Sequence, residues 1–563
     1  MKGKDIFKEL NDLDLRPNDI SDAKLSKAFA ILLEITEEPN LENEKLKSEI
    51  EWLRKENKNL KGEKDDSDND MPREKPPKDH SSEKAGKKRG SPREGKRKPK
   101  KDKIHADRTE YCPVDRNILP EDAEFKGWQD IVTQELAIKT DNVPYKKEVW
   151  YSKSENKTYI GIPPVGFGGE FGPGVKSMTF ILKHVCNMSE PKITEFFNNF
   201  GIHISQSTIS RMLTGGSDIE IFHGEKAEIF EAGLHSTPWQ NIDGTGAKVR
   251  GGNHHVQIVC NPFYSAFFTC PRKDRLTIID ILLCGNPRFY LFNEKAFALL
   301  EEFGISGKMM SKIRDAVFGG ILDEDQMREL LDCLFPDPGK GRNNRLGIME
   351  AGAIAWYHKQ TNVPVVQILL GDAGPEYKKM TPNQGLCWIH DGRHYGKLNP
   401  VVPMYRESLE NFKARYWDFY QKILDYKDDP SREGAEKLSS EFDDLFSTVT
   451  DYPALNDRIE KTKAKKAGLL TILQHPEIDP HNNTAELGAR VVARKRDVSL
   501  HTMSADGTAS QDTMLTIMET ARKLGVNAYN HIFDRISGKF ELPSLSSLIL
   551  KTAGLVVPCP DSS

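Results

Sequence analysis

Two apolar runs far apart in the chain each lead into an aspartate, and this repetition constrains the fold more than any other feature. Asp243 follows Trp239-Gln-Asn-Ile242, and Asp372 follows Val363-Pro-Val-Val-Gln-Ile-Leu-Leu370 through Gly371. The second run is apolar almost throughout, as a strand covered on both faces must be. β-rich runs at residues 239–243, 254–260 and 263–270, parted by Gly- or Pro-containing turns, predict a three-stranded meander around the first aspartate. Helical patterns fill the intervals. Residues 274–283 and 346–359 read as helices, as do residues 406–474, where Tyr405, just ahead of them, begins a stripe continued by Leu409, Phe412, Tyr416, Phe419 and Ile423. Residues 293–335 read as added helices, with Asp323 and Gln326 as a capping pair ahead of Met327, Leu330, Leu331 and Leu334. The expected class is a multidomain α/β protein.

A third acid, Glu486, lies on a predicted helix opening at Asn482-Asn483, with Arg490 and Arg494 one and two turns later. Positions i, i+4 and i+8 share a face, so one side can carry a carboxylate and two phosphate-binding guanidiniums. Glu-to-Arg at i+4 is equally an ordinary surface pair worth about 0.2–0.5 kcal/mol. Acids alone are a weak signal in a chain with 84 of them. Cys387-x-x-His390 supplies two ligands where zinc needs four, so its plainer reading is a buried thiol and a hydrogen-bonded imidazole on one helix.

Charge is unevenly spread. The chain of 563 residues carries a net −4, yet residues 84–103 hold 11 Lys/Arg and two acids, including Arg97, Lys98, Lys100 and Lys101. Such a one-signed tether suits contact with DNA phosphates, although a solubilising linker has the same composition. Ahead of it, Leu46, Leu53 and Leu60 recur every seven residues; if they are d positions, the a positions are Asn43, Ile50 and Asn57. Leucine at d with asparagine at a favours a parallel two-stranded coiled coil; a plain amphipathic helix is the alternative. Residues 61–103 lack apolar periodicity and predict disorder. Residues 178–213 read as consecutive short helices, broken at Gly201 and restarted by Ser205. The last presents Gln206, Ser207, Ser210 and Arg211, small polar side chains suited to phosphates and base edges in a helix-turn-helix. The opening Met1-Lys-Gly-Lys-Asp-Ile-Phe has no apolar signal core, and no run is long enough to span a bilayer. Eight scattered cysteines without a Cys-x-x-Cys pair predict reduced thiols in a cytoplasm.

Four stretches in fixed order resemble the transposases of the insertion-sequence-66 family, which carry a DDE catalytic core. They are Asp243-Gly-Thr-Gly-Ala-Lys-Val-Arg-Gly-Gly-Asn-His254, Gly371-Asp-Ala-Gly-Pro-Glu-Tyr377, Leu386-Cys-Trp-Ile-His-Asp-Gly-Arg-His394, and Asp479-Pro-His-Asn-Asn-Thr-Ala-Glu486 continued by Arg490 and Arg494-Lys495. The resemblance covers residues 46–532. It departs at Ala247, where the family usually has Trp, and at Leu487, where it usually has Arg. It implies an RNase H-like core in which Asp243, Asp372 and Glu486 hold two magnesium ions, with manganese as a substitute. Cys387, His390, Arg393, Asn483, Arg490, Arg494 and Lys495 would support that site or contact DNA. The family's zinc ribbon has only Tyr111-Cys112 here, so no zinc is expected.

The implied organisation is a dimerising coil at 1–62, a disordered basic linker at 63–106, a degenerate ribbon-like region at 107–170 and a helix-turn-helix at 171–232. An RNase H-like DDE domain follows at 233–500, with helical insertions at about 293–344 and 400–475, then a C-terminal helical segment and tail at 501–563. Implied partners are duplex DNA, as terminal inverted repeats and target, and a second copy or a higher synaptic assembly, in a prokaryotic cytoplasm at the nucleoid, with no membrane. A catalytically silent DNA-binding regulator derived from a transposase shares the coil, tether and helix-turn-helix. A nuclease that cuts without joining shares the acids.

Overall fold

The structure is a computed structural model that describes residues 108–555, apart from 121, 122, 130, 132, 135, 137 and 338–340. Before residue 108 it describes 22, 25–29, 31–33, 46, 49 and 50. Leu53, Asn57 and Leu60 of the heptad seam and the basic tether therefore lie outside the described residues; Leu46 and Ile50 are helical and exposed.

A small antiparallel hairpin, β1 (Val149–Ser152) and β2 (Lys157–Ile160), precedes four helices: α1 (Pro173–His184), α2 (Glu190–Asn199), α3 (Gln206–Thr214) and α4 (Ser217–Ser236). α1 starts at Pro173, five residues earlier than its sequence pattern indicates, because proline is accommodated in a first turn where its missing N–H is not needed. Gly201 takes φ 75° at the break, and the Ser205 side chain accepts from Thr208 N at the start of α3.

The centre is a mixed five-stranded sheet in the order β5 (Ser265–Cys270), β4 (Gly252–Cys260), β3 (Trp239–Val249), β8 (Ile368–Gly371) and β9 (Asn383–Leu386). β3, β4 and β5 form the antiparallel meander that the sequence predicts. β4 runs against its neighbours, while β8 and β9 lie parallel to β3. Between β5 and β8 come α5 (Arg275–Leu282), β6 (Tyr290–Leu291), α6 (Glu294–Glu302), α7 (Gly307–Val317), β7 (Ile321–Leu322), α8 (Glu324–Leu334) and α9 (Arg342–Tyr357). The Asp323–Gln326 capping box is present. The β6–β7 ladder, absent from the sequence reading, is too short to show a period; it braces the insertion where Tyr290 and Phe292 lie on Gly352 of α9. β8 (Ile368–Gly371) is shorter than the apolar run suggests, since Val366 N donates to the Tyr357 hydroxyl (2.9 Å) and not to a neighbouring strand.

After β9 (Asn383–Leu386) and α10 (Trp388–Gly396), the chain forms α11 (Pro403–Asp428), α12 (Arg432–Leu445), α13 (Pro453–Lys463) and α14 (Lys466–Leu469). The predicted stripe is buried throughout and surrounds Trp388 in a core of its own, which also takes in Leu33. α15 (Asn483–Ser499) then returns to the sheet, followed by α16 (Ala505–Lys523), α17 (Ala528–Ile536) and α18 (Leu545–Thr552). Helices cover both sheet faces. Val256, Ile258 and Cys260 of β4 join Ala485 and Val492 of α15, while Ile242 and Val259 face the core containing α4 and α9.

Candidate active site

Three chain segments deliver the three acids to one open cleft of about 330 Å³. Asp243 does not end its strand, as the apolar run implied: β4 pairs with β3 along its length and carries it on to Val249. It lies instead just beyond the point where β3 stops pairing with β8, whose last partner is Asn241. Asp372 directly follows β8, and Glu486 is in the first turn of α15. Cys387, His390, Arg393 and Arg490 share the cleft.

Each carboxylate has a local partner. Asp243 accepts from Gly244 N (2.8 Å), Asp372 from Gly374 N (3.0 Å), and Glu486 Oε2 from Arg393 Nη2 (3.2 Å). Burial pushes the Asp243 carboxyl up to about 6; the Gly244 bond opposes that, the Asp372 and Glu486 charges add to it, and Lys273 opposes it. A side chain at position 374 would put its Cβ 2.9 Å from Asp372 Oδ1 and 2.8 Å from Glu376 Oε1, so only glycine leaves those oxygens in place.

The acid-bearing segments are joined by Asn482. Its Nδ2 donates to Ile242 O (2.7 Å), its Oδ1 accepts from Asn241 Nδ2 (3.0 Å), and its N–H meets Cys387 Sγ (3.3 Å). Cys387 N in turn donates to Gly371 O (3.2 Å), next to Asp372. Cys387 also caps α10 by accepting from His390 N (3.4 Å), and burial pushes its thiol up to about 11. With its thiol so raised, it serves here as a neutral hydrogen-bonding group. The plainer sequence reading of this cysteine holds.

The remaining expected residues divide. Arg490 lines the cleft; Arg494 is exposed beyond it, and half-buried Asn483 does not line it. Lys495 does not line the cleft. It is 3% exposed and its Nζ donates to Lys183 O (2.8 Å) under α1. The reason lies in the period: Ala485, Gly488, Val492 and Lys495 form the inward stripe of α15. On α3, Gln206, Ser207 and Arg211 are exposed and Ser210 is half-buried. Arg97, Lys98, Lys100 and Lys101 are outside the described residues. The sequence reading missed Asn482 as a link between segments, and missed Lys273, whose Nζ lies 2.7 Å from Glu376 Oε1.

The donor set is carboxylate oxygen, the type that hard divalent cations prefer, and a cation would offset the crowding of charge on Asp243. As the side chains stand, no three His, Cys, Asp or Glu groups among the described residues are disposed around a single ion. Arg393, not a shared centre, engages Glu486.

The fold and site thus define a mixed α/β protein with an acidic cleft beside a five-stranded sheet. No family model matches the chain. It is 29% identical over 313 residues to the uncharacterized protein y4jO of Sinorhizobium fredii, a match spanning 55% of this chain and 94% of that protein.

Proposed function

We propose that this protein is a DDE-type DNA transposase with an RNase H-like catalytic domain. The observation that carries the reading is the convergence of Asp243, Asp372 and Glu486, from three distant segments, on one cleft. The strand order, in which β4 alone runs against the other four, fits the RNase H-like core implied by the sequence resemblance.

Asp243, Asp372 and Glu486 would hold divalent cations of the magnesium type, which supply Lewis acidity and lower the pKa of a bound hydroxyl. Arg490 and Arg393 stand where they can take phosphate oxygens, Arg393 once it releases Glu486. In the first step water adds to phosphorus at the element end and the 3′-oxygen leaves as a hydroxyl. In the second, that 3′-hydroxyl attacks a target phosphodiester, forming one P–O bond as another breaks, so no external energy source is needed.

Asp243→Asn, Asp372→Asn and Glu486→Gln keep side-chain shape and remove charge. Each is expected to reduce end cleavage and strand transfer to background in magnesium or manganese, with duplex binding retained. Combining them should add nothing further, because ligands of one site act as a unit. Full activity in the Glu486→Gln protein would refute the third assignment, and wild-type protein inert on its own element ends in both metals would refute the reading as a whole.

A further inference from the structure

The β3–β4 hairpin runs past the sheet. β3 pairs with β8 only to Asn241, and β4 with β5 only from His255, yet the β3–β4 ladder continues to Val249 opposite Gly252. Arg250 (φ 50°) and Gly251 (φ 79°) close this arm with the two left-handed residues of a type I′ turn. The arm is fastened to the segment after α15: Arg250 N donates to Thr502 O (2.8 Å) and Thr502 N to Lys248 O (3.2 Å). Both neighbouring elements lead out of the acid cleft. Thr245 and Arg490 line it, and Lys248 and Arg494 follow on the same elements.

Arg250, Arg494 and Arg496 are exposed and Lys248 is half-buried. Among the described residues none of the four forms an ion pair, in a chain whose acids outnumber its Lys and Arg by 84 to 80. Two are already pinned: Arg496 Nη1 donates to Gly246 O (2.6 Å) and Arg250 Nε to Met503 O (2.9 Å). A guanidinium has five N–H donors in a rigid fork, so pinning one leaves the others ordered and available at reduced entropic cost. Residues 244–254 and 490–503 contain no Phe, Tyr or Trp, whereas sites for single strands interleave cations with stacking aromatics.

We propose that Lys248, Arg250, Arg494 and Arg496 form a backbone-binding surface for duplex DNA flanking the phosphodiester in the acid cleft. The assignment rests on reading that cleft as a DNA-processing site. The surface contacts phosphates only, and so contributes affinity and register without sequence preference.

Equilibrium binding of the full-length protein to duplex DNA, without divalent cations and across a salt series, tests this apart from catalysis. Each phosphate contact contributes about 0.9 to the slope of log K against log salt. Lys248→Gln, Arg250→Asn, Arg494→Gln and Arg496→Gln together should reduce the slope by about 3 to 4. Lys248→Gln alone, which disturbs none of the pinning bonds, should reduce it by about 1. Wild-type binding with an unchanged slope in both variants overturns this proposal alone. Wild-type protein that binds no duplex overturns the reading of the cleft as well. A loss confined to single-stranded DNA overturns the assignment to duplex.

Discussion

Asn482 shows how one residue can set the geometry of groups it does not resemble. Its amide serves β3 through Ile242 O and Asn241, and its backbone N–H meets Cys387, so it makes no cap bond to its own helix. Asn482→Ala would leave the buried Asn241 amide unpartnered, at a cost of about 1–3 kcal/mol. Asn482→Asp should cost more, since it sets a carboxylate oxygen against Ile242 O. Denaturant midpoints would measure both, and midpoints matching wild type would remove Asn482 from this role. The strand and helix signals that carry the three acids are legible in the sequence, and the resemblance of the flanking stretches is what singles these acids out among 84. The bond from Asn482 to Ile242 spans 240 residues, and no local pattern reports it.

At the scale of elements, α15 works on two faces. Its inward stripe lies so near the sheet that a Cβ on Gly488 would come 2.9 Å from Ile258 Cγ2, while the face bearing Glu486, Ala489, Arg490 and Ala493 lines the cleft. Lys495 closes the inward stripe beside Lys183 and His184, both of whose ring nitrogens are buried without partners. Burial, with a smaller contribution from the Lys183 charge, lowers the Lys495 ammonium to about 7. The folded protein then binds one proton fewer than the unfolded chain between that value and the ordinary lysine range. Stability from this group is accordingly lowest below about pH 7 and rises with pH above it, by at most about 1.4 kcal/mol per unit. Lys495→Met should flatten that rise in denaturation measured from pH 6 to 10. A parallel pH dependence in wild type and variant would show that Lys495 is not the source.

For the whole molecule, the C-terminal helices are part of the sheet's construction. Asp512, Thr516 and Thr520, one turn apart on α16, accept from the N–H groups of Thr269, Phe267 and Ser265 along the outer edge of β5. An edge that would otherwise be open to another strand is thereby closed. Leu33 shows that part of the N-terminal segment is also seated in the body, within the core around Trp388. Replacing Leu46, Leu53 and Leu60 by lysine therefore isolates the heptad seam better than truncating residues 1–62. Light scattering should report a dimer for wild type and half that mass for the variant; equal masses would exclude the coil as the dimerising element.

Local sequence alone determined the meander, the helical stripes and the capping box, because periodicity and caps act over a few residues and leave their mark there; the choice of three acids among 84 came from the resemblance of the stretches around them. Only the tertiary structure decided that β3 continues past Asp243, since its partner β4 supplies the hydrogen bonds. Tertiary packing likewise turned Lys495 inward, drew Arg393 onto Glu486 and made α16 the guard of an edge strand. Those outcomes depend on surfaces brought together from distant parts of the chain, where burial and unpaired backbone groups outweigh any local preference.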